Sequence, residues 1–186
     1  MAASIKTVAV LGAGHGGHAA AADLGSRGFN VRLHARNPDR LKPIRDAGGV
    51  IARGVVNGTV PVPLLTTDVR EACDGADLIM LVVPSVAHEY YAHALAPILT
   101  PDRPVFVNPG HTGGGLHFVH ELRQAGYKQA VKTCETVTLT YITRMEGPAT
   151  VGIYSYTKKL GFAAFPGKHA DELYGLLKPL YPEIEL

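Results

Sequence analysis

Three glycines near the amino terminus have the spacing of a phosphate-binding turn. Gly12, Gly14 and Gly17 fit the pattern G-x-G-x-x-G, which is weak evidence by itself in a chain with 21 glycines among 186 residues. In such a turn the first glycine permits the bend, the second lets the backbone approach a pyrophosphate, and the third lets a helix pack on a strand. The helix adds unpaired N–H groups and a partial positive charge. Inside the motif, His15 could donate a hydrogen bond to such a ligand, or it is a capping or solvent histidine.

Arg36 and Asn37 stand where the second predicted strand ends. A site for NAD(H) usually has an acidic residue about 20 residues after the glycines, to hold the ribose hydroxyls. No Asp or Glu stands at this strand tip, whereas Arg36, helped by Arg40, could pair with a 2′-phosphate through two hydrogen bonds. Such a bond contributes about 1.5–3 kcal/mol, or about a ten- to hundredfold preference. The sequence predicts NADP(H) over NAD(H); alternatively, Arg36 stacks on the adenine and both cofactors bind.

Three later loops carry polar or turn-forming residues where predicted strands end. In open α/β sheets the ligand lies outside the carboxyl ends of the strands. Val83, Pro84 and Ser85 follow one strand, where Pro84 turns the chain and Ser85 could cap the next helix. Asn108 could hydrogen-bond a ribose or a carboxamide, and Glu135 could line the nicotinamide end. The alternative for each is turn chemistry alone.

Other kinds of chemistry have weaker support. His88 and Glu89 are followed by His93, a spacing that misses the His-Glu-x-x-His geometry, so no metal site is predicted. The G-x-S-x-G elbow and the G-x-x-x-x-G-K-[ST] loop are both absent from the sequence. Cys134 has no motif partner, and we interpret it as a buried strand thiol. No catalytic residue is predicted.

These residues require an alternation of strands and helices to position them. We expect strands over residues 6–11, 30–34, 77–83 and 104–108, and helices over residues 18–24, 38–46, 85–99 and 116–124. Asn57-Gly58 predicts a hairpin, and residues 131–144 read as one strand. A second hairpin is expected from residues 150–156 and 160–165, and a closing helix over residues 169–178. The prediction is a Rossmann-type, doubly wound α/β fold with a mainly parallel sheet, as one domain over residues 1–186.

Composition limits the classes of partner. A net charge of +2 gives no basic excess for nucleic acid or a membrane surface, so neither is expected as a partner. Two isolated cysteines exclude a disulfide scaffold. No signal peptide or membrane span is visible, and the expected location is cytoplasmic.

Four segments together resemble the opine dehydrogenases, which include the octopine and nopaline enzymes. They are the glycine turn and the residues around it, then Val82-Val-Pro-Ser85, then Asn108-Pro-Gly-His-Thr-Gly-Gly114, then Cys134-Glu-Thr136. The resemblance implies reductive condensation of a 2-oxo acid with an amino acid, with a nicotinamide as hydride donor. It also implies that Gly16 joins the pyrophosphate-binding residues. Arg36 would lie at the adenosine ribose, and the three later loops along the nicotinamide half.

The same resemblance implies a second, helical domain that carries the catalytic residues, and the chain ends about where that domain should begin. The expected function is therefore the NADP(H)-binding domain of an opine-type oxidoreductase acting on a CH–NH bond, inactive alone. The alternatives are a stand-alone nucleotide-binding regulatory module, or the cofactor domain of an enzyme like ketopantoate reductase or glycerol-3-phosphate dehydrogenase. A homodimer is possible, because the surface that a second domain would cover could be apolar.

Overall fold

The computed structural model describes residues 5–186, which form two β-sheets and six α-helices. The strands are β1 (Thr7–Leu11), β2 (Asn30–His34), β3 (Val50–Gly54), β4 (Gly58–Val60), β5 (Leu64–Thr66), β6 (Leu78–Leu81), β7 (Val105–Val107), β8 (Thr133–Thr136), β9 (Tyr141–Met145), β10 (Thr150–Tyr156), β11 (Leu160–Phe165) and β12 (Ile184–Glu185). The helices are α1 (His15–Ser26), α2 (Lys42–Asp46), α3 (Val69–Cys73), α4 (His88–Leu95), α5 (Gly114–Gln124) and α6 (Ala170–Leu177).

The larger sheet has eight strands in the order β12-β11-β8-β7-β6-β1-β2-β5. The six strands from β8 to β5 run parallel, β11 is antiparallel to β8, and β12 is parallel to β11. The chain builds β1, β2 and β5 in one direction and then returns to β6, β7 and β8 on the other side of β1. This is the doubly wound, mainly parallel α/β arrangement that the strand and helix alternation predicts.

Both faces of the larger sheet are buried, which explains why its central strands are apolar along their whole length. Val8 and Val10 of β1 face one hydrophobic core, and Ala9 and Leu11 face the other. The second core lies under α3, α4 and α5, whereas the first includes the buried side of α1 and of α6. No helix in residues 5–186 is long and apolar enough to cross a membrane.

Helix α1 lies between the two sheets. It packs on β1 and β2 of the larger sheet and on β3, β9 and β10 of the smaller sheet, which has the order β4-β3-β10-β9. Every residue from Gly16 to Leu24 is buried. A helix that is buried on all sides is mostly apolar, and its run of alanines lets the two sheets approach it from both sides. His18 and Asp23 are its buried polar residues. The helix predicted over residues 18–24 is therefore present, and it extends further at both ends.

The second predicted hairpin is wrong in its pairing. β10 and β11 belong to different sheets: β10 runs beside β3 and β9, and β11 runs beside β8 and β12. The actual hairpin joins β9 to β10, so the strand expected over residues 131–144 is two strands, β8 and β9, in different sheets. Val151 and Ile153 of β10 pack against α1, and β10 accordingly belongs to the smaller sheet. The hairpin at Asn57-Gly58 is present between β3 and β4.

The helix predicted over residues 38–46 is interrupted. Pro38–Arg40 forms a single 3-10 turn, and α2 begins afterwards at Lys42. Pro43 has no N–H to continue the first turn, and proline is tolerated only at the start of a helix. The helix expected over residues 85–99 likewise divides into a 3-10 turn, Ser85–Ala87, and α4. The closing helix is present as α6.

Candidate functional site

The carboxyl ends of five strands are in register along one edge of the larger sheet. Leu11 pairs with both His34 and Leu81, Leu81 pairs with Val107, and Val107 pairs with Glu135. The loops that follow β1, β2, β6 and β7 therefore begin side by side. Because the strand order reverses at β1, the usual ligand position in such sheets lies outside the loops that follow β1 and β6.

Gly12 and Gly17 close the first turn because neither position has room for a side chain. The N–H of Gly12 donates to the carbonyl of His34 at 3.0 Å, and its φ of +117° is one that side chains disfavour. A Cβ at Gly12 would overlap the carbonyl oxygen of Val82, and one at Gly17 would overlap that of Gly12. The turn is thus held against both neighbouring strands, with α1 packed close behind it.

Gly14 is different because the space beside it is open. No atom lies within 4 Å of where its Cβ would be. Gly14 is also the N-cap of α1, with no side-chain cap, and the first turn of α1 contains no acidic residue. The uncapped N–H groups and the helix dipole favour an anion at this position. The pyrophosphate of a dinucleotide fits this combination of open space and donors.

The other two residues of the turn have structural contacts. A Cβ at Gly16 would lie 2.7 Å from Val82 Cγ1 and 2.8 Å from Leu139 Cδ1, so this glycine serves close packing. His15 is exposed, and its Nδ1 accepts a hydrogen bond from the N–H of Met145 at 3.2 Å. This bond anchors the imidazole to β9 beside the open space at Gly14.

Arg36 is exposed at the end of β2 and stacks on an aromatic ring. Its guanidinium carbon lies 5.0 Å from the ring centre of Tyr90 in α4. No carboxylate within residues 5–186 forms a salt bridge with Arg36, so its donors face solvent. Asn37 accepts a hydrogen bond from the N–H of Asp39 at 2.9 Å and so caps the 3-10 turn. Sequence reasoning missed Tyr90, because its contact with Arg36 depends on two elements distant in sequence.

The loop after β6 faces the glycine turn. Val83 is half-buried, and a Cβ at Gly12 would lie 2.6 Å from its Cγ1, whereas Pro84 and Ser85 are exposed. The expected capping role of Ser85 is wrong, because the N-cap of the 3-10 turn is Pro84 and Ser85 is its first residue. The Ser85 hydroxyl therefore remains available at this edge.

Asn108 does not present its side chain to a ligand, contrary to the expectation. The residue is fully buried, and its Nδ2 donates to Thr140 Oγ1 at 2.9 Å. Its Oδ1 accepts from the N–H of Thr140 at 3.2 Å. A buried amide needs such partners, and here they join the end of β7 to the loop before β9. The predicted hydrogen bond from this side chain to a ribose or carboxamide is not supported.

Glu135 lies at the carboxyl edge with its carboxylate at the amino end of α5. Its Oε2 accepts a hydrogen bond from the N–H of Gly115. The Glu135 side chain also lies so close to Gly110 that a Cβ at position 110 would overlap it. A carboxylate at this end of a helix is stabilised by the helix dipole. Glu135 also lines a 250 Å³ cavity together with His111 and Val137.

Neither cysteine is a suitable nucleophile. Cys134 is buried, and burial raises the pKa of its thiol far above its ordinary value. Burial also raises the pKa of Cys73 to about 12. Because the thiolate is the reactive form, both are inert at neutral pH, as the interpretation of Cys134 as a buried strand thiol requires.

A larger cavity lies away from the site, at the amino ends of the strands. Its volume is 740 Å³, and Asp77, Arg103 and Lys132 line it. Asp77 accepts from the N–H groups of Lys6 and Thr7, and Lys132 pairs with Glu172 at 2.6 Å. These charged groups already have protein partners, so this cavity is not the candidate site.

This chain spans about half, or less, of the length of the known proteins to which it is similar. The family described as the NAD-dependent glycerol-3-phosphate dehydrogenase N-terminus matches residues 7–134. An opine dehydrogenase of Arthrobacter sp. (strain 1C) is 36% identical over 97% of this chain and 51% of its own length. Glycerol-3-phosphate dehydrogenase [NAD(P)+] of Halorhodospira halophila (strain DSM 244 / SL1) is 35% identical over 67% of this chain and 37% of its own length. The structure of octopine dehydrogenase in complex with NADH and agmatine superposes with a TM-score of 0.76 and 23% identity, covering 97% of this chain and 48% of that one.

Proposed function

The chain belongs to the family of NAD-dependent glycerol-3-phosphate dehydrogenase N-termini, and from this premise we propose that it is the NADP(H)-binding domain of an opine-type oxidoreductase. Opine dehydrogenase of Arthrobacter supports the opine type because it aligns with 97% of this chain. The glycerol-3-phosphate dehydrogenase of Halorhodospira aligns with 67%. The substrates we propose for the whole enzyme are a 2-oxo acid and an amino acid.

The observation that carries the proposal is the open, uncapped amino end of α1 at Gly14. A dinucleotide whose pyrophosphate binds there extends along the carboxyl edge in both directions. The adenosine half then meets Arg36 and Asn37 after β2, and the nicotinamide half meets Val83, Pro84 and Ser85 after β6. When bound, the nicotinamide supplies or accepts a hydride. The side chains of the chain bind the cofactor, orient it and shield it.

The preference for NADP(H) rests on Arg36. Tyr90 holds the guanidinium by stacking, so that less side-chain entropy is lost when Arg36 binds a phosphate. The end of β2 carries no carboxylate that would repel a 2′-phosphate or hold a 2′-hydroxyl. A 2′-phosphate on the ribose would therefore meet a positioned cation at the end of β2.

Two fluorescence titrations of the purified chain, with NADPH and with NADH, test this proposal. We expect NADPH to bind about ten- to hundredfold more tightly, and Arg36→Gln to remove most of that difference while leaving NADH binding unchanged. Arg53→Gln is the matched control, since Arg53 is exposed in the smaller sheet. Equal or tighter binding of NADH by the wild-type chain would contradict the NADP(H) preference. Failure to bind either cofactor would contradict the proposed function itself.

A further inference from the structure

Helices α4 and α5 bring three potential metal ligands together outside the dinucleotide site. Glu89 and His93 stand one turn apart on α4, and Glu121 stands on α5, which packs against α4. One ligand atom of each side chain lies within 4.8 Å of those of the other two. Because Glu89 and His93 are exposed and Glu121 is half-buried, a dissolved ion has access to all three.

No lysine or arginine in the described part of the chain compensates the two carboxylates of this cluster. Within residues 5–186, neither Glu89 nor Glu121 forms a salt bridge with a lysine or an arginine. Two carboxylates at this separation repel each other. The helices nevertheless hold them together, and a bound cation would remove the repulsion.

Two histidines outside the cluster form a row of contacts that ends at Glu121. His117 stands one turn before Glu121, and its Nε2 lies 3.3 Å from the carboxylate Oε1. The Nδ1 of His117 is in turn 3.4 Å from the Nδ1 of His88, which is buried at the start of α4. Carboxylates that bind metals are usually oriented by polar contacts with residues outside the ligand set. The row from His88 through His117 to Glu121 joins the two helices on one side of the cluster.

We propose that Glu89, His93 and Glu121 bind one divalent transition-metal ion, with Zn²⁺ the best match. Two carboxylate oxygens and one imidazole nitrogen form a donor set that zinc accepts, and water would complete the coordination. The ion would join α4 to α5 and so stabilise the second hydrophobic core beneath them. The sequence did not predict this site because the three ligands do not form a motif within one helix. Glu121 lies on α5, whereas Glu89 and His93 lie on α4.

The proposal is tested with the tag-free chain and zinc chloride alone, by calorimetric titration and thermal unfolding. We expect one Zn²⁺ per chain and a Tm that rises with zinc concentration, since an ion that binds only the folded state stabilises it. Because even outer partners of a metal contribute about ten- to hundredfold in affinity, His93→Ala and Glu89→Gln should each weaken binding by at least about tenfold. The control is His120→Ala, which removes an exposed histidine of α5 outside the cluster.

Two outcomes would overturn the proposal. One is the absence of one-to-one zinc binding by the wild-type chain. The other is that His120→Ala weakens binding as much as His93→Ala, which would indicate diffuse binding by surface histidines. Circular dichroism and the metal-free Tm of each variant identify any variant that fails to fold. If His93→Ala fails to fold, the zinc affinity of Glu89→Gln, which conserves the shape of the side chain, decides the test. The measurements contain no nucleotide, so they are independent of the proposed function.

Discussion

The glycines of the first turn have separate physical roles, which the space beside each of them distinguishes. Gly12 and Gly17 have no space for a Cβ, whereas Gly14 faces open space. Substitution at Gly17 should therefore affect folding, and substitution at Gly14 should affect binding.

Gly14→Asp separates these two effects most clearly. Gly14 has the extended conformation of an N-cap, with φ −93° and ψ −162°, and Asp is a preferred N-cap residue. We expect the free energy of unfolding to be unchanged or higher, while the added charge weakens NADPH binding by about a hundredfold or more. Urea unfolding and fluorescence titration measure the two quantities.

Two further variants serve as controls for that prediction. Gly14→Asn has the same size without the charge, and it should weaken NADPH binding less than Gly14→Asp. Gly17→Ala should instead lower the free energy of unfolding by about 1–3 kcal/mol, because its methyl group meets the carbonyl of Gly12. If Gly14→Asp bound NADPH normally, the pyrophosphate could not lie at Gly14.

The sequence predicted those residues whose role depends on local backbone, and it missed those whose role depends on distant partners. The glycine turn is local, because strand, turn and helix are consecutive. Asn108 was misjudged because its partner, Thr140, follows in a different loop. Tyr90 was missed because its contact with Arg36 joins α4 to the end of β2.

At the scale of elements, one buried carboxylate joins α1 to the smaller sheet. Asp23 accepts hydrogen bonds from Arg27 at 2.8 Å, from the hydroxyl of Tyr141 at 2.9 Å and from that of Tyr156 at 2.8 Å. The hydroxyl of Tyr141 also lies 2.8 Å from that of Tyr181, beyond α6. Helix α1, β9, β10 and the chain after α6 therefore meet at one fully buried side chain.

Asp23→Ala should lower the free energy of unfolding by about 3 kcal/mol, since it leaves the hydroxyls of Tyr141 and Tyr156 without their acceptor at a buried position. Urea unfolding measures the loss. Asp46→Ala is the matched control, because Lys42 and Asp46 form an ion pair of the same spacing that is exposed. Exposed pairs contribute little, so similar losses in both variants would contradict a special role for Asp23.

Tyr156 makes this network sensitive to alkali. Burial and the hydrogen bond to Asp23 raise its pKa from 10.0 to about 12. Because folding raises this pKa, the stabilising contribution is complete below the pKa of the unfolded chain. It is lost as the pH rises from 10.0 to about 12. Urea unfolding across that range should show falling stability, with a shallower fall in Tyr156→Phe; parallel curves for both proteins would contradict the prediction.

Sequence patterns predicted the parallel core better than the later strands. The central strands β1, β6 and β7 are apolar runs, and a helix follows each of them in the sequence, which is the pattern of a parallel sheet. The segments from β8 to β11 are strands without intervening helices, and sequence alone does not say which sheet each joins. Val151 and Ile153 read equally well as part of a hairpin with β11, and only their packing on α1 assigns them to the smaller sheet.

At the scale of the whole molecule, cofactor binding and catalysis should be separable. The chain spans about half the length of the opine dehydrogenase it matches, 51%. At the carboxyl edge, His15 and Glu135 are already engaged with backbone N–H groups of Met145 and Gly115. We therefore predict that the isolated chain binds NADPH but does not oxidise it when a 2-oxo acid and amino acids are added. Loss of NADPH absorbance that depends on the amine would contradict this.

The position of α1 between two sheets also has a consequence for how its sequence can vary. An ordinary surface helix offers a solvent-facing side, where substitutions accumulate freely every three or four residues. From Gly16 to Leu24 this helix has no such side. Few substitutions in this segment are therefore expected to be neutral. A change to a larger residue there requires a compensating change in one sheet or the other. The helix that presents its end to the cofactor should be among the slowest parts of the molecule to diverge.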